Sequence, residues 1–155
     1  MELDQNFKEF IQLLNVNRVQ YLVVGGYAVA FHGYVRYTGD IDFWIKPDKE
    51  NGDKLRKSLT EFGVILSDIE AEDFIKENLM FQLGYPPNRI DIMTSVTALV
   101  FDECWKDRKE VEMEDEKLSF ISLHHLKINK QKIGRSIDKN DLENLGGNGS
   151  ESKII

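Results

Sequence analysis

Two aspartates separated by one residue are the strongest candidates for chemistry in this chain. Asp40 and Asp42 lie in the segment 40–45, where polar and apolar residues alternate. On a β-strand this alternation sends both carboxylates to one face, with their backbone positions roughly 7 Å apart. Side chains at that spacing can converge on a hard divalent cation such as Mg²⁺ or Mn²⁺. The same pattern is also typical of a solvated strand edge.

A glycine pair precedes the aspartates. The apolar run 22–24 predicts a buried strand, and it stops at Gly25 and Gly26. Residues 27–31 are short and rich in small side chains, which favours one or two helical turns. The free N–H groups of such a helix would point back at the glycines and attract an anion such as phosphate. A glycine pair by itself also fits an ordinary tight turn.

A third carboxylate follows later in the chain. The segments 79–84 and 89–94 are joined by 85–88, Tyr-Pro-Pro-Asn, and together predict a β-hairpin. In the second strand the neighbouring isoleucines point to one face and Asp91 to the other. Asp91 is therefore a candidate to join the first two aspartates, although alone it would also suit a surface position.

The order of these features resembles a known signature. A strand, Gly25-Gly26, a short helix and then Arg-x-Thr-x-Asp40-x-Asp42 resemble the core of the nucleotidyltransferase superfamily, the polymerase-beta-like fold. The resemblance is to its small prokaryotic branch, related to toxin components of abortive-infection and toxin–antitoxin pairs. It implies that the glycines hold a nucleoside triphosphate and that Asp40 and Asp42 carry metal ions. It also implies that Asp91 contacts metal and serves as the general base.

Three further positions belong to this block. Tyr27 stands where the family often has a serine that contacts a phosphate. We expect Arg36 and Thr38 to contribute to nucleotide binding. Arg36 would brace either the carboxylates or a phosphate, and Thr38 would bond to neighbouring backbone; the sequence leaves these alternatives open.

A second block, residues 127–142, is similar to the family pattern of a lysine followed by Gly-Arg-x-x-Asp-x-x-Asp-Leu. The usual Pro-Lys after the arginine is replaced by Ser-Ile at 136–137. Cations beside an acidic metal site suit triphosphate oxygens. We therefore predict nucleotide contacts from Lys127, Lys130 and Arg135, while each lysine alone also fits a solvated helical face.

The remaining pattern predicts an α+β fold with a small mixed β-sheet flanked by helices. Apolar residues at helical spacing indicate helices over 3–14, 49–62 and 123–133. Short apolar or alternating runs indicate strands over 19–24, up to 45, and over 64–66, and a last hairpin over 111–120. Brief helices are expected at 71–78 and 101–109. We expect one domain over 1–145 and a flexible tail over 146–155.

Composition narrows the function classes. The chain has 155 residues, 41% of them hydrophobic, which suffices for one core without disulfides. The single cysteine, Cys104, fits a reducing cytosol, and no apolar run reaches transmembrane length, so we expect a cytoplasmic protein without membrane contact. A net charge of −7 argues against a general polyanion binder.

These observations favour transfer of a nucleoside monophosphate from a nucleoside triphosphate to an acceptor hydroxyl, with Mg²⁺ or Mn²⁺ as cofactor. The acceptor is RNA, a protein or a small molecule, and we expect an antitoxin or a second copy of the chain as partner. Two alternatives stay open. One is an inactive, nucleotide-binding or regulatory member of the same fold, and the other is a metal-dependent phosphodiester hydrolase.

Overall fold

A computed structural model describes the backbone of residues 2–151 and the side chains of residues 2–145. It contains a six-stranded mixed sheet flanked by helices, in the strand order β3-β4-β2-β1-β6-β5. This confirms the predicted fold class. The elements are α1 (Gln5–Val16), β1 (Tyr21–Val24), α2 (Gly25–Phe31), β2 (Ile41–Ile45), α3 (Lys49–Phe62), a 3₁₀ turn (Ala71–Ile75), β3 (Met80–Leu83), β4 (Ile90–Met93), α4 (Phe101–Lys106), β5 (Lys109–Met113), β6 (Glu116–Phe120), α5 (Leu123–Ile133) and α6 (Ser136–Glu151).

The pairing of the central strands sets the position of the acidic residues. β2 runs antiparallel to β1, with Val24 opposite Asp42, and parallel to β4, with Asp42 opposite Asp91. β3 returns antiparallel to β4 as the predicted hairpin partner, with Gln82 opposite Asp91. The three strands β1, β2 and β4 therefore bring the glycine turn and two aspartates together.

Alternation along β2 divides the sheet into two faces. Phe43 points toward the long helices, where its ring lies 5.4 Å from that of Phe10 on α1, and Phe10 in turn lies 5.2 Å from Phe62 on α3. Trp44 points to the other face, packs edge-on against Phe101 of α4 at 5.2 Å, and donates from Nε1 to the carbonyl of Thr94. Asp42 shares this second face, because it lies two residues from Trp44.

Two local predictions differ from the structure. The strand predicted over 64–66 is absent from the described residues: α3 ends at Phe62 and is capped by Gly63, whose φ is +104°, and Ile65 is 86% exposed. Val64 and Leu66 instead pack, partly buried, against the hydrophobic core. The helix predicted over 71–78 is a 3₁₀ turn that ends at Ile75.

The C-terminal region is described in part. The backbone of α6 continues to Glu151, and residues 152–155 lie outside the described residues. The flexible tail predicted over 146–155 therefore stays a prediction. In the described part of the chain, no helix has the length and apolar character needed to span a membrane.

Candidate functional site

Asp40, Asp42 and Asp91 lie together at one end of the sheet. Asp42 and Asp91 are direct neighbours on parallel strands, and Asp40 immediately precedes β2. Adjacent strands lie about 4.8 Å apart, so the Asp42 and Asp91 carboxyl groups face each other closely enough to share a proton. The sequence placed Asp91 on the correct strand and face, but the parallel pairing that opposes it to Asp42 comes from the tertiary fold.

The pKa of Asp42 is raised to about 7. Burial is the largest cause, because it disfavours the charged carboxylate. Asp91 adds to the shift through its negative charge and a hydrogen bond, and Asp40 adds a smaller repulsion, while the ammonium group of Lys130 opposes it. Asp42 therefore keeps a proton up to about neutral pH, and a cation beside its carboxylate would relieve the same repulsion.

Arg89 is a functional candidate that the sequence predictions missed. Its guanidinium donates to both oxygens of Asp91, from Nε at 2.6 Å and from Nη2 at 3.0 Å, and Nη2 also lies 3.0 Å from Oδ2 of Asp40. Arg89 therefore bridges the two outer carboxylates. A signal was present in the sequence: Arg89 and Asp91 stand two residues apart on an alternating strand, as Asp40 and Asp42 do.

The glycine turn packs directly against the acidic residues. Gly25 has a φ of +67°, and a Cβ built there would fall onto Oδ2 of Asp42. A Cβ on Gly26 would lie 2.5 Å from Oγ1 of Thr38. As predicted, α2 begins at this pair, and no side chain caps the helix at Val24. Both glycines are thus required by close contacts within the protein, independently of any ligand.

Two aspartates of α6 organise the basic residues. Asp141 accepts from Nε of Arg36 at 2.8 Å and contacts Nζ of Lys130 at 3.0 Å. Asp138 lies 3.1 Å from the same Nζ and accepts from Nε of Arg135 at 2.7 Å. Both carboxylates are fully buried. Burial alone would raise the pKa of each, but the bonds to the basic side chains hold both pKa values below the usual range.

The predicted basic residues therefore occupy different positions. Lys130 is buried and lies in the cleft beside Asp42, and the exposed side chain of Arg135 lines the same cleft. Arg36 was predicted to bind either the site carboxylates or a phosphate. It binds a carboxylate, but that carboxylate belongs to Asp141. Thr38 donates to the carbonyl of Asp40 at 3.2 Å, which matches the expected backbone bond. Lys127, on α5, is not among the described residues that line the cleft.

The cleft above the carboxylates has a volume of about 540 Å³. That volume lies within the range of small-molecule sites in proteins. A wider groove of about 860 Å³ runs beside α1 and α3, but its ionisable lining is acidic (Glu9, Glu61 and Glu116), which does not suit a polyanionic ligand. The lining of the smaller cleft includes the residues Val24, Gly25, Asp42, Met80, Gln82, Arg89, Asp91, Met93, Ser95, Val96, Thr97, Asn129, Lys130, Ile133 and Arg135.

The fit of a divalent cation depends on Arg89. Asp42 and Asp91 fit a hard cation, because they are oxygen ligands held together against their mutual repulsion. The guanidinium of Arg89 competes with such a cation, because it donates to both oxygens of Asp91 as well as to Oδ2 of Asp40. With this bridge in place, no group of three or more His, Cys, Asp and Glu side chains in the described residues is arranged to hold a metal ion. The residues therefore fit a cation on the pair of Asp42 and Asp91 once Arg89 releases an oxygen of Asp91.

Comparison with solved structures identifies the architecture. A proposed nucleotidyltransferase from Thermotoga maritima superimposes with a TM-score of 0.60 at 15% identity over 88% of each chain. The lincosamide antibiotic adenylyltransferase LnuA, in its lincomycin-bound form, gives 0.59 at 18% identity over 93% of this chain and 96% of its own. The chain has a nucleotidyltransferase-like fold.

A third structure agrees with this fold. An antigenic nucleotidyltransferase-like protein from Paracoccidioides brasiliensis gives a TM-score of 0.51 at 14% identity, over 90% of this chain and 72% of its own. No family model matches the sequence, and no curated protein matches it by sequence. The chain therefore shares the fold of these structures while sharing little of their sequence.

The aspartates of α6 were the other residues that the sequence predictions left without a role. Asp138 and Asp141 were part of the second block, three residues apart. On a helix that spacing places two side chains on one face. The spacing indicated that both would point the same way, but nothing in it indicated that three basic side chains from different segments would meet them.

Proposed function

We propose that the chain transfers a nucleoside monophosphate from a nucleoside triphosphate to an acceptor hydroxyl. The observation that carries the proposal is the register of Asp42 with Asp91, with Gly25 packed against Asp42. Lys130 and Arg135 line the same cleft and supply positive charge for phosphate oxygens. The fold shared with nucleotidyltransferases supports this reaction.

In the proposed step, the acceptor oxygen attacks the α-phosphorus of the triphosphate. A new oxygen–phosphorus bond forms, the bond from the α-phosphorus to the bridging oxygen breaks, and pyrophosphate leaves with that electron pair. The hydroxyl proton passes to the carboxylate pair of Asp42 and Asp91. We assign the general base to this carboxylate pair, which includes the predicted Asp91.

We propose Mg²⁺ or Mn²⁺ as the cofactor, held by Asp42 and Asp91. Arg89 would release an oxygen of Asp91 for this contact, and Asp40 would join the pair where its own bond to Arg89 is released. A bound cation would neutralise charge that builds on the phosphoryl oxygens. Lys130 keeps its ammonium group at the cleft because Asp138 and Asp141 hold it there.

The acceptor and the partner belong to this proposal as well. The resemblance to toxin components favours cytoplasmic action, with an antitoxin or a second copy of the chain as partner. LnuA was solved with an antibiotic bound, so a small hydroxyl-bearing molecule belongs in the acceptor screen beside RNA and protein.

A second candidate function is nucleotide binding without transfer. Three observations favour it. The guanidinium of Arg89 is hydrogen-bonded to Asp40 and Asp91, and no three-carboxylate metal cluster occurs in the described residues. Tyr27 stands at the position where the family often has serine. Such a protein would bind triphosphate and regulate a partner.

The test is product identity. The protein is incubated with α-labelled nucleoside triphosphates, Mg²⁺ and cell extract, and the labelled products are analysed by mass spectrometry. Pyrophosphate together with a labelled acceptor supports transfer, free monophosphate indicates hydrolysis, and binding without turnover supports the second candidate. Asp91→Asn should slow transfer by a factor on the order of 10² or more while triphosphate binding survives.

A matched control comes from the surface. Asp53 on α3 is 55% exposed and pairs only loosely with Lys49, at 3.4 Å. Asp53→Asn should leave transfer unchanged. Equal losses in both variants would mean that the effect of Asp91→Asn is not a property of the site.

A further inference from the structure

The cleft continues beyond the carboxylates as a second row of side chains. Gln82 lies opposite Asp91 across β3 and β4, and two residues along the same pairing Met80 lies opposite Met93. Residues two apart share a face, so both methionines point into the same cleft, about 7 Å from the carboxylate row.

This second row differs chemically from the first. Met80, Met93, Val96 and Ile133 give the cleft an apolar portion, while Lys130 and the carboxylates make the first row charged. Met80 is 54% exposed although it lies on a strand. Methionine thioethers are polarisable and pack well against aromatic rings. A ligand with a charged end and a flat aromatic end matches the two rows.

We propose that Met80 and Met93, the methionine row, bind the base of the nucleoside triphosphate and that this base is adenine. The inference rests on the proposed function and names the substrate of the same site. Gln82 supports adenine, because a glutamine amide can pair with the neighbouring donor and acceptor at N6 and N7 of adenine. Its amide nitrogen lies 3.6 Å from the sulfur of Met80, which places the amide beside the row.

The first experiment separates base binding from phosphate binding. Calorimetry in Mg²⁺ compares ATP with inorganic tripolyphosphate, which lacks a base. Met80→Gln makes the row polar without adding charge, so it should weaken ATP binding by about tenfold and change tripolyphosphate binding by less than twofold. Met80→Leu should weaken ATP binding less than Met80→Gln does, because leucine keeps the apolar character of the side chain and loses only the thioether.

A matched control removes an exposed apolar side chain elsewhere. Ile65 is 86% exposed and is not among the residues that line the cleft. Ile65→Gln should change neither affinity.

The second experiment tests the identity of the base. Wild-type protein should bind ATP about tenfold more tightly than GTP, CTP or UTP, and Gln82→Leu should remove the preference of ATP over GTP by deleting the paired hydrogen bonds. The inference is overturned if ATP and tripolyphosphate bind wild type equally, if Met80→Gln weakens both alike or neither, or if another nucleotide is preferred. If neither ATP nor tripolyphosphate binds at all, the proposed function itself fails.

Discussion

The buried carboxyl of Asp42 should make the metal-free protein less stable as pH rises. Its pKa is about 7 in the folded chain, against 3.8 for an ordinary aspartate in water. Between these two values the folded state keeps a proton that the unfolded chain has released. The free energy of unfolding must therefore fall as pH rises from about 4 to 7 and then level off.

Asp42→Asn removes this dependence, because an amide of the same shape stays neutral at every pH. At about 1.4 kcal/mol per unit, a pKa shift of about three units lowers the free energy of unfolding by roughly 4 kcal/mol once the pH is above 7. Between pH 5 and pH 8, the free energy of unfolding of the wild type should fall by about 3 kcal/mol relative to that of the variant. Urea unfolding with EDTA present, at half-unit pH steps, measures the difference.

Added Mg²⁺ provides the second arm of this experiment. A cation binds the ionised folded state, so saturating Mg²⁺ should flatten the wild-type profile above pH 6 and leave Asp42→Asn nearly unchanged. Asp53→Asn is the control for removal of an exposed charge. Parallel pH profiles for wild type and Asp42→Asn in EDTA would refute the reasoning about burial and mutual repulsion.

Three other predictions use different parts of the site. Gly25→Ala places a methyl group on Asp42 and should weaken Mg²⁺-dependent triphosphate binding by more than tenfold, whereas Gly63→Ala, with similar left-handed strain and open space, should not. Asp141→Asn should lower the free energy of unfolding by about 3 kcal/mol in urea titrations, because it breaks a buried pair with Lys130. The pKa of Cys104 is raised to about 11, chiefly by burial, so native protein should resist maleimide at pH 7.5 until unfolded.

The sequence predicted those features that depend on local periodicity. Alternation with a period of two placed Asp42 and Asp91 on the site face of their strands, and helical spacing predicted α1, α3 and α5. The hairpin of β3 and β4 also followed from its turn residues. These predictions succeeded because side-chain direction in a strand or helix is fixed by backbone geometry.

The features that were missed depend on contacts between distant segments. The apolar run 64–66 is a good strand sequence, but it is a connection after α3 in which Ile65 is exposed while Val64 and Leu66 pack against the core. The ion pair of Arg36 with Asp141 joins residues 105 positions apart. Likewise, the role of Arg89 depends on Asp40 reaching it from the neighbouring strand. No spacing rule within one element can reveal such pairs.

The charge balance of the site explains why its parts belong together. Five aspartates face four basic side chains, so with every group ionised the cluster carries one uncompensated negative charge, and Asp42 relieves it by keeping a proton near neutral pH. A divalent cation in place of that proton would leave the cluster positive. A triphosphate supplies the opposite charge, which favours binding of metal and nucleotide together. The members of the cluster are Asp40, Asp42, Asp91, Asp138, Asp141, Arg36, Arg89, Lys130 and Arg135.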